Sequence, residues 1–87
     1  NVARLFYQDV WRVQTGDLLM FKYSGGPSEI FYKSEAPVTL AVDGRQVKLP
    51  SSGGKWRSEK VDVPVVTQRT ALRILEGSAV LDRLERR

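Results

Sequence analysis

Val38, Leu40 and Val42 alternate with Thr39 and Ala41, Asp43-Gly44 interrupts them, and Arg45-Gln46-Val47-Lys48-Leu49 returns. A repeat of two is the period of a strand with one face buried and one open, and it does not fit a helix. Aspartate and glycine tolerate the positive φ angles of a two-residue hairpin turn, so this unit is predicted to be a β-hairpin. Residues 36–87 read in the same way throughout, as a run of hairpins. Val61, Val63 and Val65 alternate with Asp62 and Pro64. Pro64 cannot donate a ladder hydrogen bond, which places that strand at an edge or ends it there. Residues 70–75 form a further strand candidate closed by Glu76-Gly77-Ser78. In the last segment Val80, Leu81 and Leu84 suit either a helical stripe or a final strand. A strand is expected, because every element before it is one.

The amino-terminal half follows the same logic. Residues 5–13 are rich in aromatic and branched side chains and stop at Thr15-Gly16-Asp17, which predicts one or two short strands with Trp11 and Val13 on one face. Residues 18–23 set Leu19, Phe21 and Tyr23 on one side and Leu18, Met20 and Lys22 on the other, the pattern of a central strand buried largely on both faces. Ser24-Gly25-Gly26-Pro27-Ser28 is a breaker cluster, and residues 29–33 make a short apolar stretch before Glu35-Ala36-Pro37. Short strands separated by glycine, proline and Asp-Gly signals predict an all-β antiparallel sandwich or barrel with almost no helix.

Eighty-seven residues suffice for one domain, taken as 1–87, and leave no room for a second. The sequence has no cysteine and no histidine, which removes disulfides, thiolate zinc sites, cysteine nucleophiles and the commonest general base. No metal site and no cofactor is expected. Carboxylate chemistry remains, but nothing in the spacing of the ten Asp and Glu residues selects a catalytic pair, so the chain is not expected to be an enzyme by itself. The formal net charge is +4, from 14 Lys and Arg against 10 Asp and Glu, and the charges are interspersed rather than gathered in a block. No apolar run approaches the roughly 20 residues that span a bilayer, so a soluble chain without a membrane partner is expected.

Trp56 is the residue that points to a ligand. It ends the loop Ser51-Ser52-Gly53-Gly54-Lys55-Trp56, and an indole among glycines and serines is well placed to stack on a flat, partly apolar ring such as a sugar or a nucleobase. The alternative is that Trp56 folds inward and closes the rim of the sandwich. Lys55, Arg57 and Lys60 give the loop a positive rim suited to a carboxylate or phosphate, although long basic side chains on a solvated strand are also ordinary. Trp11 is expected in the core, because it alternates with Val13.

Ala36-Pro37-Val38-Thr39-Leu40-Ala41-Val42-Asp43-Gly44, Leu49-Pro50-Ser51-Ser52-Gly53-Gly54-Lys55-Trp56, Lys60-Val61-Asp62-Val63-Pro64-Val65, Thr70-Ala71-Leu72-Arg73-Ile74 and Val80-Leu81-Asp82-Arg83-Leu84 together resemble the latter part of the galactose-binding-like jelly rolls, notably carbohydrate-binding modules of families 6 and 35. The resemblance implies a jelly-roll-like β-sandwich, reduced or incomplete, because such modules are usually longer and have first strands that carry a calcium-binding portion. It also implies a secreted or periplasmic setting. Only Trp56 matches a sugar-stacking position, and Val80 stands where the family's binding cleft commonly has an asparagine.

Two functions are therefore expected to compete. In the first, the chain is a non-catalytic accessory module that binds a polysaccharide or glycan, neutral or acidic, by stacking on Trp56 with Lys55 and Arg57 hydrogen-bonding beside it. In the second, it is a structural or protein-interaction sandwich that packs on a neighbouring domain or chain, because an open sheet edge needs a cover. Single-stranded nucleic acid held by Tyr7, Trp11 and Trp56 ranks behind both.

Overall fold

The computed structural model describes residues 2–4 (backbone), 11–23, 25–65 and 69–87, and every regular element among them is a strand. In chain order these are β1 (Val2–Arg4), β2 (Trp11–Gln14), β3 (Leu18–Lys22), β4 (Gly26–Lys33), β5 (Val38–Val42), β6 (Arg45–Leu49), β7 (Arg57–Val63), β8 (Arg69–Glu76) and β9 (Ser78–Arg86). One sheet has the order β1-β9-β4-β7, with β2 also paired to β9, and the other has the order β3-β8-β5-β6; every pairing is antiparallel. Since β4 occupies one edge of β9, β1 and β2 share the other edge, opposite residues 83–85 and 78–81. Each sheet is thus four positions wide, and the alternation of the chain between them is that of a jelly roll.

The β5–β6 unit is the hairpin its sequence predicts, with φ of 49° at Asp43 and 83° at Gly44 as the two-residue turn requires. Asp43 also ties this turn to β8: its amide donates to the Ala71 carbonyl and its Oδ1 accepts from the Ala71 amide, both at 2.8 Å. The remaining segments are not hairpins. Among the described residues no other consecutive pair of strands is hydrogen-bonded, because each other described connection steps from one sheet to the other. Gly77 alone links β8 to β9 at a φ of 102°, and its amide donates to Thr15 Oγ1 (3.0 Å), so this corner is sewn to the β2–β3 turn. A reversal within one sheet and a step across the sandwich use the same residue types, which is why the run of hairpins expected for residues 36–87 resolves into one hairpin and several arches.

The core lies between the inner faces and contains Val13, Leu19, Tyr23, Ile30, Tyr32, Val38, Leu40, Val42, Leu49, Val61, Val63, Leu72, Ile74, Ala79, Leu81 and Leu84. These residues come from alternate positions of both sheets, as sandwich packing demands. Trp11 and Val13 do share the inward face, with Trp11 partly buried against the core. The last segment is the strand β9, central between β4 and the β1/β2 edge, and β7 is an edge strand that ends at Val63, immediately before Pro64.

Two strand expectations need correction. The segment at residues 18–23 is not a central strand: β3 lies at the edge of its sheet, and its outer residues Leu18 and Met20 are 46% and 57% exposed. The central strands of that sheet are β8 and β5. The second correction concerns the breaker cluster, where Gly26, Pro27 and Ser28 already belong to β4 and pair with residues 61–63 of β7. Proline is tolerated there because it sits at the second position of the strand, near its end.

Tyr32 links the core to the loop that follows β6. It is fully buried, and its hydroxyl donates to the Pro50 carbonyl at 2.7 Å. Burial raises its pKa above the ordinary 10.0, with nearby Arg57 opposing and Glu59 reinforcing the shift. The folded state therefore holds this proton more tightly than the unfolded chain. The stabilisation is complete below the unfolded value and is lost as pH climbs through the folded one. Unfolding midpoints measured across the alkaline range are expected to be flat up to about pH 10 and to fall above it more steeply in the wild type than in Tyr32→Phe.

Candidate functional site

The loop between β6 and β7, residues 50–56, is folded around the end of β4. Ser34 accepts at its carbonyl from the amides of Ser52 (3.2 Å) and Gly54 (3.1 Å), and from Ser52 Oγ (3.1 Å), and its own amide donates to Ser52 Oγ (2.8 Å). Ser51 Oγ donates to the Glu35 carbonyl (2.8 Å) and accepts the Gly53 amide (3.1 Å). Serine hydroxyls bond readily to nearby backbone, and here two of them replace a sheet ladder with a fixed turn. Gly54 lies at a φ of 75° with the Glu35 carboxylate where a β-carbon would go, 2.6 Å from that position, so only glycine fits without displacing Glu35.

This stitching places the three sequence-predicted site residues together on an exposed shoulder. Lys55 and Trp56 end the loop and Arg57 opens β7, and all three are exposed. Trp56 is 51% exposed, so it does not close the sandwich rim from within. The ammonium of Lys33, from the last position of β4, lies 4.9 Å from the centroid of its ring. This cation–π contact ties the indole to β4, and about half of Trp56 remains exposed to solvent. Arg57 is not a free cation: its Nε and Nη2 donate to Glu59 Oε1 at 3.0 and 2.7 Å. Of its five N–H groups, three remain to be offered to a ligand.

Beside the shoulder runs an open cleft of about 520 Å³ lined by Arg12, Gln14, Asp17, Lys33, Glu35, Gly54 and, from β9, residues 78–80. Sheet register makes it. Val80 pairs with Arg12 on one side and with Lys33 on the other, so the three form one row across the outer face of the first sheet. The lining brings two cations, Arg12 and Lys33, against two carboxylates, Asp17 and Glu35. Asp17 Oδ2 is engaged by the Gln14 amide (2.9 Å). Donors and acceptors interleaved with an apolar floor at Val80 suit a ligand rich in hydroxyls, each of which both donates and accepts. No group of three or more His, Cys, Asp or Glu capable of holding a metal occurs among the described residues.

Sequence reasoning singled out the loop and missed Lys33, Glu35 and Arg12, which lie far from it along the chain. The one signal was Val80, where the family resemblance marked a cleft position. Trp11 faces the core from β2, whereas Trp56 rests on the outer side of β4, so the two indoles do not share a surface; Tyr7 lies outside the described residues.

No protein-family model matches the sequence, and no curated protein does. The fold is similar to that of the CBM36-1 domain of a multidomain xylanase from the hindgut metagenome of Trinervitermes trinervoides, with a TM-score of 0.62 and 14% identity over 97% of this chain and 93% of that one. At that identity the likeness is one of fold, and it supports the all-β sandwich predicted from the strand pattern and the jelly-roll-like form that the family resemblance implied.

Proposed function

We propose that the chain is a non-catalytic accessory module that binds carbohydrate at this cleft. A sugar ring stacks on the exposed indole of Trp56, Lys55 and Arg57 hydrogen-bond its hydroxyls from the shoulder, and the chain of sugars continues past Lys33 and Glu35 toward Arg12. The observation that carries the reading is the half-exposed indole held by Lys33 at the lip of a cleft with balanced charge. The structural likeness to a domain of a xylanase supports it. Two cations against two carboxylates favour neutral sugars over a polyanion.

Calorimetric titration of xylan, a neutral β-glucan and polygalacturonic acid tests this directly. A neutral polysaccharide is expected to bind, with an affinity that changes less than about twofold as salt rises past physiological strength, since no net charge is neutralised. Absence of binding to every glycan ends the proposal, and a strong fall with salt would show that the basic rim, not the indole, holds the ligand.

A further inference from the structure

We propose that the outer face of the second sheet, formed by β3 and β8, is a docking surface for an acidic protein surface with an apolar centre. The ion pairs seen among the described residues are unevenly placed: Arg57 with Glu59, Arg83 with Asp82 and Glu85, and Arg87 with Asp62 all belong to the first sheet or its ends. On the second sheet Lys22, Arg69 and Arg73 make no ion pair or side-chain hydrogen bond with any described residue.

Register puts these cations on one face. Leu18 pairs with Arg73, Met20 with Ala71 and Lys22 with Arg69, while Leu19 and Leu72 between them point into the core. Lys22 and Arg69 are thus directly opposite, with β-carbons about 5 Å apart, an arrangement that destabilises a sheet unless an anion from elsewhere relieves it. Arg73 follows about 13 Å further along β8 at the strand rise. Between the two ends lie Met20 and Ala71; Leu18 and Ala41 of β5 flank Arg73 on either side, and Leu75 lies beyond it, with Leu18, Met20 and Leu75 46%, 57% and 40% exposed.

An apolar centre bearing methionine, rimmed by arginine, is the anatomy of a protein interface. Phosphate or sulfate polymers would use the cations and leave the leucines and methionine wet, and among the described residues this face presents no aromatic ring on which sugars or bases could stack. A second copy presenting the same face would set like charge on like charge. The complementary partner is therefore a protein surface with leucine-like residues among glutamates or aspartates. This inference is independent of the glycan cleft, which lies on the other sheet.

The test is a titration of isotopically labelled protein with a soluble peptide that sets glutamates around leucines, followed by amide shifts. Shifts are expected in residues 18–22 and 69–73. The double variant Arg69→Glu, Arg73→Glu is expected to lose at least about tenfold in affinity, while its melting midpoint stays equal or rises because the first substitution sets a carboxylate opposite Lys22. Met20→Ser, at an exposed position that tolerates polarity, is expected to weaken the peptide as well and serves if the double variant fails to fold. The proposal is overturned by an absence of shifts on this face, by a peptide affinity indifferent to Met20→Ser, or by a sulfated polysaccharide or oligonucleotide that binds the same amides more tightly than the peptide.

Discussion

Replacing Trp56 by alanine is expected to lower the affinity for a bound polysaccharide by about 5- to 150-fold, because stacking on a single aromatic side chain is worth about 1–3 kcal/mol in the comparable case of nucleobases. The effect should be confined to binding. Trp56 is not part of the core, half of it is exposed, and the ammonium of Lys33 lies against its ring, so its removal is expected to leave the sheets intact and to shift the unfolding free energy by less than about 1 kcal/mol. Truncating Lys33 instead would free the indole to rotate and is expected to weaken binding by only a few-fold, since an exposed cation–π contact is worth about 0.5–1 kcal/mol. Calorimetry of both variants beside the wild type checks the order. A Trp56→Ala protein that binds as well as its parent would move the site off the loop.

Leu81→Ala should produce the largest loss of stability. Leu81 is wholly buried on the central strand β9, paired on one side with Trp11 and on the other with Tyr32. Deleting its branched end removes packing from the middle of the core, where rigid sheets on both sides limit collapse into the gap. Substitutions of this kind cost about 2–5 kcal/mol. Domains of this size have about 5–15 kcal/mol in total, and each kcal/mol shifts the midpoint by about 4–8 °C, so a fall of at least about 8 °C is expected by scanning calorimetry. A comparable truncation at Met20, 57% exposed on the outer face of β3, should change the midpoint by little. Equal losses at the two sites would contradict the assignment of inner and outer faces.

The strand content was legible because alternation is a local signal. Val38, Leu40 and Val42 reach the core and Thr39 and Ala41 do not, as their spacing states. The position of a strand within its sheet is not local. Leu18 and Met20 made β3 look buried on both sides, yet they are the open face of an edge strand, and β8, whose Arg73 reads as a solvated position, is central. The burial of a strand's edges depends on partners that the strand itself does not encode.

The site divides along the same line. Lys55, Trp56 and Arg57 are consecutive, so their convergence was visible in the chain, whereas the row Arg12, Val80, Lys33 exists only through the pairing of β2 and β4 with β9. The corners were half legible. Glycine and serine marked where the chain turns, but hydrogen bonds from Ser51 and Ser52 to the segment after β4 decide that the loop folds over Ser34 and Glu35 rather than standing free.

The most direct measurement is the map of amide shifts on titrating the labelled protein with the oligosaccharide of whichever polysaccharide binds. Perturbations are expected at Lys33, Ser34, Glu35 and residues 52–57, continuing to Val80 and Arg12, with β3 and β8 unchanged. Shifts confined to another face of the sandwich, with the loop that carries Trp56 undisturbed, would contradict the assignment of the cleft.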